Sequence, residues 1–194
     1  MSAPMSQAAV GRSKSADAAL QAAIIVAASL FVAACARFSL PIPGTPVPLS
    51  LQNFAVLLVG LALGSRRGFM ALALYLAEGA AGLPVFSPIG APGILRFIGP
   101  TAGYLMAYPF VALLAGYIFE RGKQTFVRAA SAAIAGEVLL FAVGISWLYV
   151  LTHSLARAIA FGFSWFIFAE IMKVVLAAGV ASTWRRFVPY IGRA

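Results

Sequence analysis

Charge is scarce in this chain: Asp, Glu, Lys and Arg together make up 10% of its 194 residues, against roughly a quarter in soluble domains. The hydrophobic share is 62%, more apolar surface than a water-soluble core of this size hides, so an ordinary globular fold is excluded. The single cysteine, Cys35, sits inside the first apolar run. It cannot build a disulfide framework and reads as a small packing residue. The single histidine, His153, has no cysteine or carboxylate beside it in sequence, which is not a zinc-site pattern. No Walker A string occurs. The nearest, GYIFERGKQT at 116–125, has the wrong spacing and no hydroxyl residue after the lysine, so the chain does not energise anything with ATP by itself. GFSWF and GISWL do not match a nucleophile elbow. No catalytic residue, metal site or cofactor is expected, and no internal repeat is evident.

What is present is long apolar runs. Hydropathy gives six, at residues 18–36, 49–63, 68–83, 99–119, 129–151 and 158–182. They predict an all-α integral membrane protein, a bundle of six transmembrane helices. The second and third are short for a bilayer that takes about 20 residues per span, and only Ser65, Arg66 and Arg67 separate them, so a tight helical hairpin is expected. The net charge of +9 does not imply nucleic acid, because the basic residues form no stripe. They fall between the runs: Arg12 and Lys14, then Arg66 and Arg67, then Arg121, Lys123 and Arg128, then Arg185, Arg186 and Arg193. If every run spans, all of these lie on one side, leaving Arg37, Arg96 and Arg157 on the other. The positive-inside rule then puts both termini in the cytoplasm. Residues 1–17 are expected as a short disordered cytoplasmic tail rather than a cleaved signal, 18–184 as the membrane domain, and 185–194 as a second short tail.

The outer connections are unusual. SLPIPGTPVPLS at 39–50 and PVFSPIGAPGILRFI at 84–98 are rich in proline and glycine yet apolar. Proline removes backbone donors and fixes φ, so neither is helix throughout. They read as structured outer loops, either a lid over an outward-facing pocket or plugs for the helix ends. Within the runs stand Glu78, Glu137, Glu170 and Lys173, each costing on the order of 3 kcal/mol at mid-bilayer if ionised and unpaired. They must face a partner, the bundle interior or a watered cavity. Glu170 and Lys173, at i and i+3, share one helix face, as a self-neutralising pair or as a site for a polar solute. Glu78 lies under the second outer loop, where a binding role fits. Glu137 lies deeper, at a depth to pair with Lys173. Gln52 and Asn53 open the second run as caps or pocket lining. The amides of Gly99–Thr101, with Arg96 beside them, open the fourth run and are suited to an anion. Trp147 is either an interfacial aromatic or a pocket wall. Ala19, Ala23 and Ala27 recur every fourth residue on the first run, a spacing that admits close helix approach.

Taken in order, PIPGTPVPLSLQNFAVLLVGLALG (41–64), YLAEGAAGLPVF (75–86), IGPTAGYLMAYPF (98–110), GEVLLFAVGISWL (136–148) and the acidic-x-x-Lys of Glu170 and Lys173 make a set that resembles the BioY family, the biotin-specific substrate-binding (S) components of energy-coupling-factor transporters. The resemblance implies biotin as transported ligand, bound on the outer side under the first loop. It also implies the bacterial inner membrane as location, and a membrane T component and two cytosolic ATPases as partners. Val47, Phe86 and Tyr104, within the matching segments, join the candidate ligand-binding residues, and the Ala19, Ala23, Ala27 series becomes the T-component contact. Two residues depart from the family pattern: Glu170 stands where Asp is usual, and Glu137 where Asn is common. Biotin's parts fit what the sequence offers. Glu170 or Glu78 would accept from the ureido N–H groups. Lys173, Arg96 or the Gly99–Thr101 amides would take the carboxylate. An S component for another vitamin, such as thiamine or riboflavin, is the alternative.

Overall fold

The computed structural model describes residues 14–187, with the side chains of 15–184. The chain is mostly helical: α1 (Lys14–Arg37), α2 (Gln52–Leu63), α3 (Ser65–Ala80), α4 (Ala102–Glu120), α5 (Phe126–Thr152), the short α6 (Leu155–Ile159) and α7 (Ile167–Phe187). Among the described residues, four helical segments are long and apolar enough to cross a membrane: Ser15–Arg37, Ala102–Glu120, Phe126–Thr152 and Ile167–Trp184. α2, with 12 residues, extends only about 18 Å at 1.5 Å per residue, well short of a hydrocarbon core of about 30 Å. α3, with 16 residues, reaches about 24 Å.

α4 is the central post. It packs on α2, α3 and α5, while α7 closes the bundle against α2 and α5 and α1 lies along α3 and α2. Large apolar side chains crowd the surface as well as the core, and the polar groups at the centre of the bundle are buried. Phe168 is 83% exposed and Val127 75%, whereas Asn53, Glu137, Glu170 and Lys173 are all 7% exposed or less. Apolar side chains outside and ionisable ones inside is the arrangement a lipid environment selects.

α2 and α3 are joined by one residue, Gly64, at φ 85°, a left-handed value at which glycine is favoured. Ser65, Arg66 and Arg67, expected as the connection, already form the first turn of α3. The start of α3 is fastened to the end of α4, where the Glu120 carboxylate accepts from Ser65 N (3.1 Å) and Ser65 Oγ (2.5 Å).

Two further expectations change. The tail expected over 1–17 is already helical from Lys14, and α7 continues to Phe187; residues 1–13 and 188–194, including Arg12 and Arg193, lie outside the described residues. The sixth run is not one helix. α6 leads into a π-helical turn at Ala160–Ser164, and α7 begins only at Ile167. The first outer connection contains a small antiparallel pair, Ser39–Leu40 (β1) with Leu49–Ser50 (β2), in the register Ser39↔Ser50 and Leu40↔Leu49. This pair closes the neck of a proline-rich loop, 41–48, which lies over the bundle as a cap. His153 ends α5 in the left-handed region, at φ 51°.

Candidate ligand-binding site

Beneath the cap lie two narrow cavities of about 60 Å³ and about 50 Å³ that share Val47, Pro48, Ser50, Tyr104 and Tyr108 in their walls. They are the two ends of one cleft. The first reaches Gln52, Phe86, Arg96 and Thr101. The second reaches Asn53, Phe166, Glu170 and Lys173.

The floor of the second end is a polar cluster drawn from three helices. On α7, Lys173 Nζ donates to Glu170 Oε1 at 2.7 Å. From the first turn of α2, the single amide nitrogen of Asn53 donates to both Glu170 Oε2 (2.6 Å) and Glu137 Oε1 (2.7 Å) on α5. Glu137 thus joins the cluster through Asn53, and the ammonium that was expected to meet it sits on Glu170. Asn53 Oδ1 and Glu137 Oε2 are buried without a hydrogen-bond partner within the protein. Such acceptors are costly unless a donor reaches them. The sequence offered Asn53 only as a cap or lining residue, and its bridging role rests on a partner 117 positions away.

The other end is held by the second outer loop. Arg96 is 5% exposed and donates to the carbonyls of Ser87 and Ile89, gathering that loop around its guanidinium. Burial lowers its pKa from the ordinary value, but a guanidinium keeps its proton at any physiological pH. Gln52 Nε2 donates to the Tyr75 hydroxyl (2.8 Å), which in turn donates to Val85 O (3.3 Å). Phe86 stacks edge-on against both Tyr75 and Phe97. The amide series proposed for an anion is largely occupied: Gly99 N donates to Arg96 O at 3.4 Å and Pro100 has no N–H, so Thr101 retains the donor. Trp147 Nε1 donates to Gly99 O at 2.9 Å, which makes these two a brace between α5 and the start of α4.

Tyr104 stands between the two ends. Its ring lies across Gly144, where any side chain would overlap it, and its hydroxyl donates to Gly162 O at 2.9 Å. The neighbouring carbonyl, Phe161 O, accepts from Thr45 Oγ1 of the cap at 2.7 Å. The break in the last span therefore presents backbone acceptors to the cap and to the cleft wall, as π-turns at functional sites do. Thr45 had no sequence signal beyond its place in the proline-rich loop.

The structure brings Val47, Gln52, Phe86, Arg96, Thr101, Tyr104, Glu170 and Lys173 around the cleft. It places Glu78 elsewhere: that carboxylate accepts from Ser29 Oγ, linking α3 to α1. Ala19, Ala23 and Ala27 lie on an exposed stretch of α1.

An apolar helical bundle with a polar floor sealed under an apolar cap is the architecture of a multi-pass membrane protein that binds a small polar-ended solute. The model of the BioY family matches residues 6–190, and the chain belongs to that family. It is 36% identical over 140 residues to the biotin transporter BioY of Thermotoga maritima, covering 72% of this chain and 82% of that protein. It is 38% identical over 168 residues to the biotin transporter BioY of Rhizobium etli, covering 82% and 86%. The crystal structure of the S-component for biotin from an ECF-type ABC transporter has the same fold, with a TM-score of 0.81 at 23% identity over 90% of this chain and 95% of that one.

Proposed function

We propose that this chain is the biotin-binding membrane subunit of a vitamin uptake transporter, capturing biotin on the outer face of the bacterial inner membrane and delivering it inward. The observation that carries this reading is the cluster of Asn53, Glu137, Glu170 and Lys173 at one end of a capped apolar cleft, with Arg96 and Thr101 at the other. Biotin has a ureido group with two N–H donors and a carbonyl acceptor, an apolar bicycle and chain, and a terminal carboxylate. Glu170 and Asn53 Oδ1 would accept from the ureido, Lys173 would donate to its carbonyl, and Arg96 with Thr101 would meet the carboxylate. The relatives named as biotin transporters favour this vitamin over others.

In this reading α1 to α5 and the broken α6–α7 unit make six passes, with both termini cytoplasmic. The exposed Ala19, Ala23 and Ala27 on α1 would receive the T component, which works with a pair of cytosolic ATPases. The cavities of about 60 and 50 Å³ fall well below the roughly 300 Å³ of small-molecule pockets, so the cap must lift for biotin to enter.

The decisive experiment is equilibrium binding of labelled biotin to the purified protein in detergent, with unlabelled biotin, thiamine and riboflavin as competitors. Saturable binding displaced by biotin alone is expected. Displacement by another vitamin would reassign the ligand, and no saturable binding would end the proposal. Impermeant maleimide labelling of single cysteines at Leu95 and Lys123, on a Cys35→Ala background, tests the orientation: labelling from outside is expected at the first and not at the second.

A further inference from the structure

On the lipid-facing side of the cap lies a third and much larger space, an open groove of about 540 Å³ between the end of α1, the β1–β2 pair and α7. Its walls are almost entirely carbon, from Phe38, Leu40, Leu49, Leu51, Met172 and Leu176. Along α7 it runs from Ala169 to Leu176, about 10 Å at 1.5 Å per residue. Such a space within hydrocarbon does not stay empty, because its lining atoms would forgo their dispersion contacts. Water is a poor occupant of an apolar groove. An acyl chain fits its shape and polarity. Two cations reach it: Lys173, which is paired with Glu170, in the wall, and at the rim the exposed guanidinium of Arg37, the last residue of α1. One of its nitrogens is fixed on Pro84 O, which anchors the side chain while leaving donors of its five N–H groups for a phosphate.

We propose that this groove holds one phospholipid of the cap-side leaflet, with its phosphate on Arg37 and an acyl chain laid along Ala169–Leu176. The bound lipid completes the side wall of the cleft. Lys173 and Ser50 line the groove as well as the cleft, so both residues would border acyl chain on one side and ligand on the other. The lipid also holds the β1–β2 pair from outside, while Thr45 holds the cap from within. This requires a bilayer and an anchored cap but is independent of which solute the cleft takes.

Native mass spectrometry of the full-length protein tests it, using detergent-washed samples titrated with phosphatidylglycerol or phosphatidylcholine, both of which carry the phosphodiester. One retained phospholipid per protein is expected. Arg37→Gln should weaken retention at least about tenfold, the fold-change that corresponds to losing one hydrogen bond to a charged group. Leu176→Trp should fill the groove and reduce retention further, with an unchanged circular dichroism spectrum confirming the fold. Glycerol phosphate in excess should not displace the lipid. No retained lipid on the wild type, or equal retention in both variants, would overturn the proposal. So would displacement by glycerol phosphate alone, which would mark a headgroup site without a chain, or a dimer that disappears with Leu176→Trp, which would mark a protein interface.

Discussion

Replacing Lys173 by methionine should destabilise the protein strongly, and adding Glu170→Gln should restore it. Lys173 and Glu170 meet at 2.7 Å with side chains only 7% and 9% exposed. At an effective dielectric of about 20 their attraction is about 6 kcal/mol before desolvation. Breaking a buried pair by removing one partner costs about 3–5 kcal/mol, because the other charge is left uncompensated. The cluster holds two carboxylates against one ammonium. Counted as ionised, Lys173→Met leaves two carboxylates joined only by the Asn53 amide, whereas the double variant returns the net charge to the wild-type value. Melting in detergent should therefore fall by roughly 6–20 °C for Lys173→Met, at about 2–4 °C per kcal/mol for a chain of this size, and recover most of that in the double variant. Ligand affinity should not recover, because two of the three cluster residues that line the cleft have been replaced. A double variant as unstable as Lys173→Met would show that the pair does not act as a pair. A double variant with wild-type affinity would remove both residues from the ligand site.

Thr45→Val deletes the hydroxyl that fastens the cap to Phe161 O. A hydrogen bond worth about 1 kcal/mol predicts roughly fivefold faster biotin release in a chase assay, and an unchanged release rate would refute a latch there. Gly144→Ala drives a methyl into the Tyr104 ring, and overpacking of this kind costs about 1–3 kcal/mol; both the melting temperature and the biotin affinity should drop. Glu120→Ala frees Ser65 N and Oγ at the start of α3 and should lower stability by about 1–2 kcal/mol, read by thermal melting, with biotin affinity unaltered because this contact lies at the opposite end of the bundle.

Local chemistry made some of this site readable from the chain alone. The i, i+3 spacing puts Glu170 and Lys173 on one face of any helix, and prolines at 41, 43, 46 and 48 forbid a helix where the cap lies. What local spacing does not carry is which distant group answers a buried one. Glu137 and Glu78 both needed partners. One found Asn53, 84 positions away, and the other Ser29, 49 positions away; helix packing made those choices. The interruption of the last span was equally hidden. AIAFGFSWFIFA, 158–169, has no charged residue, so a hydropathy window averages across a break that shows only in backbone hydrogen bonding. Thr45 is a common turn residue in a loop, and its reach to Phe161 spans 116 positions.

The interrupted last span carries a mechanical corollary. Phe161 and Gly162, which the cap and Tyr104 grip, lie only about eight to twelve residues before Glu170 and Lys173, across the break in the same span. Roof and foundation thus hang from a single beam. A change that speeds the swing of the roof will tilt the groups that seize the guest, so rapid capture and tenacious retention are not separate dials on this scaffold, and a variant selected for one should arrive with the other already altered.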